Sequence, residues 1–124
     1  MRVRGTLTAV LLAAVTAGTG LVGGGTAAAA NDCTGPDGSG YYWCYNVSGA
    51  PVYDSRESDG YPVPDRIVGV MYSTHSWFIC RREDGPYVGG PHPNRWLFTM
   101  ADNGAWGWMK DTLISSETNS VRPC

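Results

Sequence analysis

The sequence predicts a small all-β domain, a barrel of five or six short strands, and three observations carry that expectation. After residue 30 no apolar pattern with a 3.6-residue period is long enough for a helix. Short strand candidates are joined by segments rich in turn-forming residues. Asn103-Gly104 sits between two aromatic-rich segments in Arg95 to Lys110, RWLFTMADNGAWGWMK, the strongest hairpin signal in the chain. About 94 residues follow residue 30, which suits a small barrel rather than a two-sheet sandwich of immunoglobulin size.

The first 30 residues read as a secretory signal peptide. Arg2 and Arg4 precede an apolar stretch from Leu7 to Val22, too short to span a membrane comfortably, and an Ala-x-Ala exit places cleavage near Ala30. No twin-arginine pair is present, so export in an unfolded state is expected, with no membrane anchor retained after cleavage. Loss of Arg2 and Arg4 leaves seven basic residues against eleven acidic ones. That balance argues against nucleic acid as a partner, because a basic face would be needed to displace counterions. Arg81-Arg82 is the only basic pair and Glu83-Asp84 follows at once, a pattern expected of a solvated charge cluster at a strand end.

All four cysteines lie beyond the signal segment, which makes disulfides the expected state. Irregular spacing and the absence of Cys-x-x-Cys argue against zinc, and no other metal or cofactor is indicated. Of three possible connectivities, Cys33–Cys44 closes a local N-terminal loop and Cys80–Cys124 ties the tail to a strand. The closed loops of 12 and 45 residues would contribute about 3 and 4 kcal/mol through chain entropy.

Residues 34–40, TGPDGSG, are turn formers leading into the short aromatic strand Tyr41–Tyr45. Asn46-Val-Ser48 has the form of a glycosylation sequon, read as accidental. Gly49–Asp54 is a strand, Ser55–Pro64 a polar loop, Arg66–Tyr72 a β-branched strand, Ser73–Ser76 a turn and Trp77–Arg82 a further strand. Glu83 to Asn94, EDGPYVGGPHPN, is a long Gly/Pro-rich loop of the kind that often carries binding function. A two-residue turn at Asn103-Gly104 would oppose Ala101 to Trp106, Thr99 to Trp108 and Leu97 to Lys110. Trp96, Phe98, Met100 and Met109 would then form an apolar face, with Trp106 and Trp108 on the other. Asp111–Ile114 reads as one helical turn.

Four segments in this order resemble bacterial SH3-like (SH3b) domains of small secreted proteins from high-GC Gram-positive bacteria. They are Ala50-Pro-Val-Tyr-Asp54, Ile67-Val-Gly-Val-Met-Tyr72, Trp77-Phe-Ile-Cys80, and the run Trp96-Leu-Phe-Thr … Asn103-Gly104 … Trp106-Gly-Trp-Met109 with Asp111 to Ile114. The chain departs from that pattern in having no aromatic at the end of Thr112-Leu-Ile and no glycine in Ser73–Ser76. On this resemblance residues 31–48 form a Cys-containing extension and 49–124 an SH3-like domain with a C-terminal tail. The resemblance implies a monomeric, non-catalytic binding module, extracellular or wall-associated, that recognises cell-wall peptidoglycan peptide or another extracellular peptide or protein. Its ligand face would include Tyr53 and Trp108, to which the hairpin register adds Trp106.

Two other function classes stay open on the residues alone. One is a disulfide-tied inhibitor or interaction protein acting through the Glu83 to Asn94 loop. The other is a minimal hydrolase using His75, His92 or the carboxylates Asp54, Glu57 and Asp59, although no Gly-x-Ser-x-Gly or other nucleophile context accompanies them.

Overall fold

The computed structural model describes residues 31–124; the expected signal peptide, residues 1–30, lies outside the described residues. Turn chemistry divides the described residues into seven strands: β1 (Tyr42–Tyr45), β2 (Ala50–Ser55), β3 (Pro62–Met71), β4 (His75–Phe78), β5 (Cys80–Arg82), β6 (Trp96–Met100) and β7 (Trp106–Lys110). Two 3-10 turns follow, Asp111–Leu113 and Thr118–Ser120. Five strands form an antiparallel sheet in the order β3-β2-β7-β6-β5, and β1 pairs with β4 in a second, two-stranded sheet.

The segment 77–82, expected as one strand, is two. Its first half pairs with β1 and its second half with β6. The change of partner occurs at Ile79, whose N–H donates to the Phe98 carbonyl at 2.9 Å, while the Thr99 hydroxyl donates to the Trp77 carbonyl at 2.7 Å. A strand that bends between sheets in this way makes a corner. The expected closed barrel is therefore corrected: among the described residues the two ladders do not join into a hydrogen-bonded ring, and β3 remains an edge.

A second correction concerns the hairpin. Its loop has three residues, Asp102–Gly104, closed by Ala101 N–H to the Ala105 carbonyl and Gly104 N–H to the Ala101 carbonyl, both 2.8 Å. Gly104 takes φ 89°, the left-handed position that such loops require. The neighbouring side chains favour the longer loop. Asp102 accepts the N–H groups of Tyr72 and Ser73, and the Asn103 amide donates to the Val68 carbonyl. The observed register pairs Met100 with Trp106, Phe98 with Trp108 and Trp96 with Lys110, one residue from the expected one. Such a slip exchanges the two faces of one strand relative to the other. Trp96, Phe98, Met100, Trp106 and Trp108 thus share a face, and Leu97, Thr99, Ala101 and Met109 share the opposite one.

That opposite face is the main core. Leu97 and Met109 pack with Val52, Met71, Phe78, Ile114, Val121, Tyr42 and the Cys33–Cys44 bridge. Each large aliphatic or aromatic group buried there contributes about 1.5 to 3 kcal/mol. Residues 31–48 belong to the same compact unit as the strands that follow. Cys33, Tyr42 and Cys44 are core residues, and Asp32 bridges to Glu117 near the C-terminus. The Asn46 amide of the sequon is buried and donates to the Ser73 carbonyl at 2.8 Å.

Cys80 is bonded to Cys124, the pairing that the loop argument prefers. The tail runs along the β5 edge: Arg81 N–H donates to the Arg122 carbonyl and Cys124 N–H to the Arg81 carbonyl. This arrangement covers an otherwise unpaired strand. Arg81 and Arg82 are accordingly not simply solvated. Arg82 pairs with Asp84 at 2.7 Å, donates to the carbonyls of Asp59 and Gly60, and lies 5.0 Å from the Tyr61 ring centroid. Replacing Cys80 and Cys124 together by serine is expected to lower stability by about 4 kcal/mol. Urea unfolding of the double variant checks this value.

Candidate functional site: an aromatic sheet face

Period-two alternation, the strand's own geometry, builds an exposed aromatic surface on the two-stranded sheet. In β1, Tyr42 and Cys44 point into the core, so Trp43 and Tyr45 face out. In β4, Ser76 and Phe78 are buried and His75 and Trp77 face out. The register sets Trp43 opposite Trp77 and Tyr45 opposite His75. Tyr41 stacks on Trp77 at a centroid distance of 4.2 Å, and Tyr45 on His75 at 4.3 Å.

The row continues onto the larger sheet. Trp77 meets Trp106 edge-on at 5.7 Å, and Trp106 stacks on Phe98 at 5.6 Å. Trp106 is 44% exposed and Tyr45 54%. Rings held on paired strands give apolar contact area at little entropic cost, the property that binding surfaces favour.

Trp43 is fixed from behind. The Asp37 carboxylate accepts its indole N–H at 2.8 Å and also the backbone N–H groups of Ser39 and Tyr41. These bonds, that from Trp43 foremost, hold the Asp37 carboxyl below the usual carboxylate range. Trp43, Met71, Ser73, His75, Trp77, Met100 and Asp102 are among the residues that line a cleft of about 190 Å3.

The other end of the same sheet face is closed, which corrects the expected ligand face. Tyr53 is 8% and Trp108 3% exposed, and both pack with the fully buried Trp96. Tyr53 meets Trp96 edge-on at 5.4 Å, and the Trp108 indole N–H donates to the Ser55 hydroxyl at 3.1 Å. The Glu83 to Asn94 loop covers this cluster: Val88 packs against it and the Pro86 carbonyl accepts the Trp96 indole N–H at 2.9 Å. Gly85 permits so close an approach, since a Cβ there would stand 2.1 Å from the Trp96 ring. Of the three residues expected to touch ligand, only Trp106 is open.

The loop is held by a polar network. Arg95, buried, donates to both Glu83 carboxylate oxygens at 2.9 and 2.8 Å and to the side chains of Thr118 and Asn119. The Arg95 guanidinium holds the Glu83 carboxyl below its ordinary range. His92 bonds Glu117 at 2.9 Å; burial pushes the Glu117 carboxyl up, but bonds from His92 and the Asn119 N–H outweigh it and leave it lowered. Burial raises the Asp111 carboxyl, which is hydrogen-bonded to the Thr118 hydroxyl.

The residues considered for catalysis do not converge. His75 is stacked in the aromatic surface and His92 is in the polar network; neither is hydrogen-bonded to a serine, threonine or cysteine side chain among the described residues. Asp54 is bonded to Arg66 at 2.8 Å and Asp59 to Arg56 at 2.6 Å. The Ser55 N–H and then Arg66 lower the Asp54 carboxyl, and Arg56 lowers that of Asp59, opposite to the shift a general acid needs.

No known family, curated protein or solved structure matches the chain. The site therefore rests on its own geometry. Tyr41, Trp43, Tyr45, His75, Trp77 and Phe98 are members that the sequence reading did not assign to it. Positions 41, 43, 45 and 75, 77 fall on one face once both segments are taken as strands, although the ring of Tyr42, which faces the core, obscures the alternation in the sequence.

Two outcomes follow from burial and charge. Trp108→Ala is expected to lower stability by about 3 to 5 kcal/mol, and Trp106→Ala by about 1 kcal/mol or less, both measured by urea unfolding. For Asp37 the folded-state pKa lies below the unfolded value of about 3.9. Its bonds are thus present above that pH and are lost as pH falls through the folded pKa. In an acid titration the Trp43 indole N–H resonance should hold its position through the ordinary carboxylate range and shift and exchange faster only below it. The Trp96 indole N–H, bonded to a backbone carbonyl, should stay unchanged and reports that the fold persists.

Proposed function

We propose that the chain is a secreted, non-catalytic binding module of SH3-like type that holds a cell-wall peptide, or another extracellular peptide, across its aromatic sheet face. The observation that carries this reading is the row Tyr41–Trp77–Trp106–Phe98, half open to water and continuous over both sheets. Water-accessible rings on a frame tied by two disulfides are suited to binding without reorganisation. The disulfides fit an oxidising compartment, consistent with export, and no helix among the described residues is long and apolar enough to cross a membrane. Support for the SH3-like reading comes from the order of short strands and the 3-10 turn directly after the last hairpin.

A second reading, a disulfide-tied inhibitor, is favoured by one observation. Tyr87 is 78% exposed on a loop pinned by Arg95 and Trp96, as a protruding contact residue would be.

Pull-down with purified peptidoglycan separates the two. Trp106→Ala and Trp77→Ala are each expected to weaken retention about tenfold or more, with folding intact by circular dichroism. Retention unaffected by both changes would overturn the proposal, and no retention of the unaltered protein on peptidoglycan would favour the second reading.

A further inference from the structure

The cleft beside the aromatic row has a composition that specifies its occupant. Two indoles, Trp43 and Trp77, and two thioethers, Met71 and Met100, supply its apolar lining; the His75 imidazole and the Ser73 and Ser76 hydroxyls are polar, and Asp102 supplies its only carboxylate. No lysine or arginine lines it. The Asp102 carboxylate is held by backbone donors: Oδ2 accepts the N–H groups of Tyr72 and Ser73 at 2.8 and 2.9 Å. Oδ1 accepts only the Ser73 hydroxyl, at 3.2 Å, and Asp102 takes part in no ion pair among the described residues.

A fixed, unneutralised carboxylate lining the same cleft as two indole rings repels anions. A purely apolar ligand would desolvate that carboxylate without compensation. A protonated amine satisfies both surfaces, attracted to the ring faces and to the carboxylate. The bond from the Trp43 indole N–H to the Asp37 carboxylate polarises that indole in the same sense. At about 190 Å3 the cleft is smaller than the roughly 300 Å3 at which sites for whole small molecules begin, so it holds one side chain of a larger ligand.

From this geometry we infer that the Trp43–Trp77–Asp102 cleft binds the primary ammonium group of a lysine-like side chain on an extracellular peptide. This rests on the peptide-binding reading above and names the charge that the peptide must carry. The acidic balance of the chain beyond residue 30 favours the approach of such a ligand.

The test is a titration of the indole N–H resonances with two probes of matched shape, N-acetyl-lysine methylamide and its neutral counterpart N-acetyl-norleucine methylamide. The lysine probe should shift Trp43 and Trp77 saturably, with an affinity at least about fivefold above that of the norleucine probe, the advantage shrinking as salt is raised. Asp102→Asn should reduce the lysine probe to the level of the norleucine probe. Because Asp102 also holds the Ser73 turn, the comparison of probes on the unaltered protein stands without that variant. Equal affinities, or no shift at Trp43 and Trp77, would overturn the inference. If the probes bind equally while Trp106→Ala still abolishes wall retention, the cleft assignment falls and the binding module stands. If the lysine probe is preferred while Trp106→Ala retains wall binding, the cleft stands and the aromatic row is not the wall-binding surface.

Discussion

The register of the β6–β7 hairpin governs what the rest of the molecule can be. Because Gly104 closes a three-residue loop, Phe98 stands opposite Trp108 and Met100 opposite Trp106. Every large ring of the hairpin then falls on one face, and Leu97, Met109 and Ala101 are left to meet Val52, Met71 and Phe78 on the other. A two-residue loop would set the two tryptophans of β7 across from Thr99 and Ala101 and would mix rings and aliphatic groups on both faces. The loop's side chains act in concert with Gly104, since Asp102 and Asn103 are bound to the backbone of the β3–β4 region.

One aromatic face, once formed, is divided into a closed part and an open part. The closed part exists because the Glu83 to Asn94 loop lies on Trp96, and the loop lies there because a buried arginine binds both oxygens of Glu83. A buried arginine is tolerable only when its donors are satisfied, and Arg95 has carboxylate, hydroxyl and amide partners together. The open part extends to β1 and β4 because the bend at Ile79 swings Trp77 beside Trp106. Packing thus removes Tyr53 and Trp108 from solvent and leaves Trp106 as the link between two sheets.

Much of this fold was legible in the sequence. Gly/Pro/Asp clusters marked most strand ends, all but the last residue of the β-branched run at 66–72 lies within β3, and loop lengths favoured the cysteine pairs that are observed. The hairpin register was not legible, because Asn-Gly is compatible with two loop lengths and the choice depends on contacts to residues some 30 positions away. The split of 77–82 into two strands was hidden for a similar reason, since no turn former stands between Trp77 and Arg82 and the change of partner at Ile79 is set by contacts distant in sequence. Arg95 reads as one scattered charge until the tail brings Thr118 and Asn119 to it. The aromatic surface was half visible: its Trp106 member stood out beside the turn, whereas Tyr41, Trp43 and Trp77 lie in segments far apart in sequence.

The most direct test of the divided face is the solvent accessibility of the five indole N–H groups, read from the broadening of their resonances by a soluble nitroxide. The structure predicts strong broadening at Trp106 and little at Trp96 and Trp108, whose N–H groups are bonded to Pro86 and Ser55. Equal broadening of Trp106 and Trp108, or protection of Trp106, would contradict the hairpin register and with it the open aromatic surface.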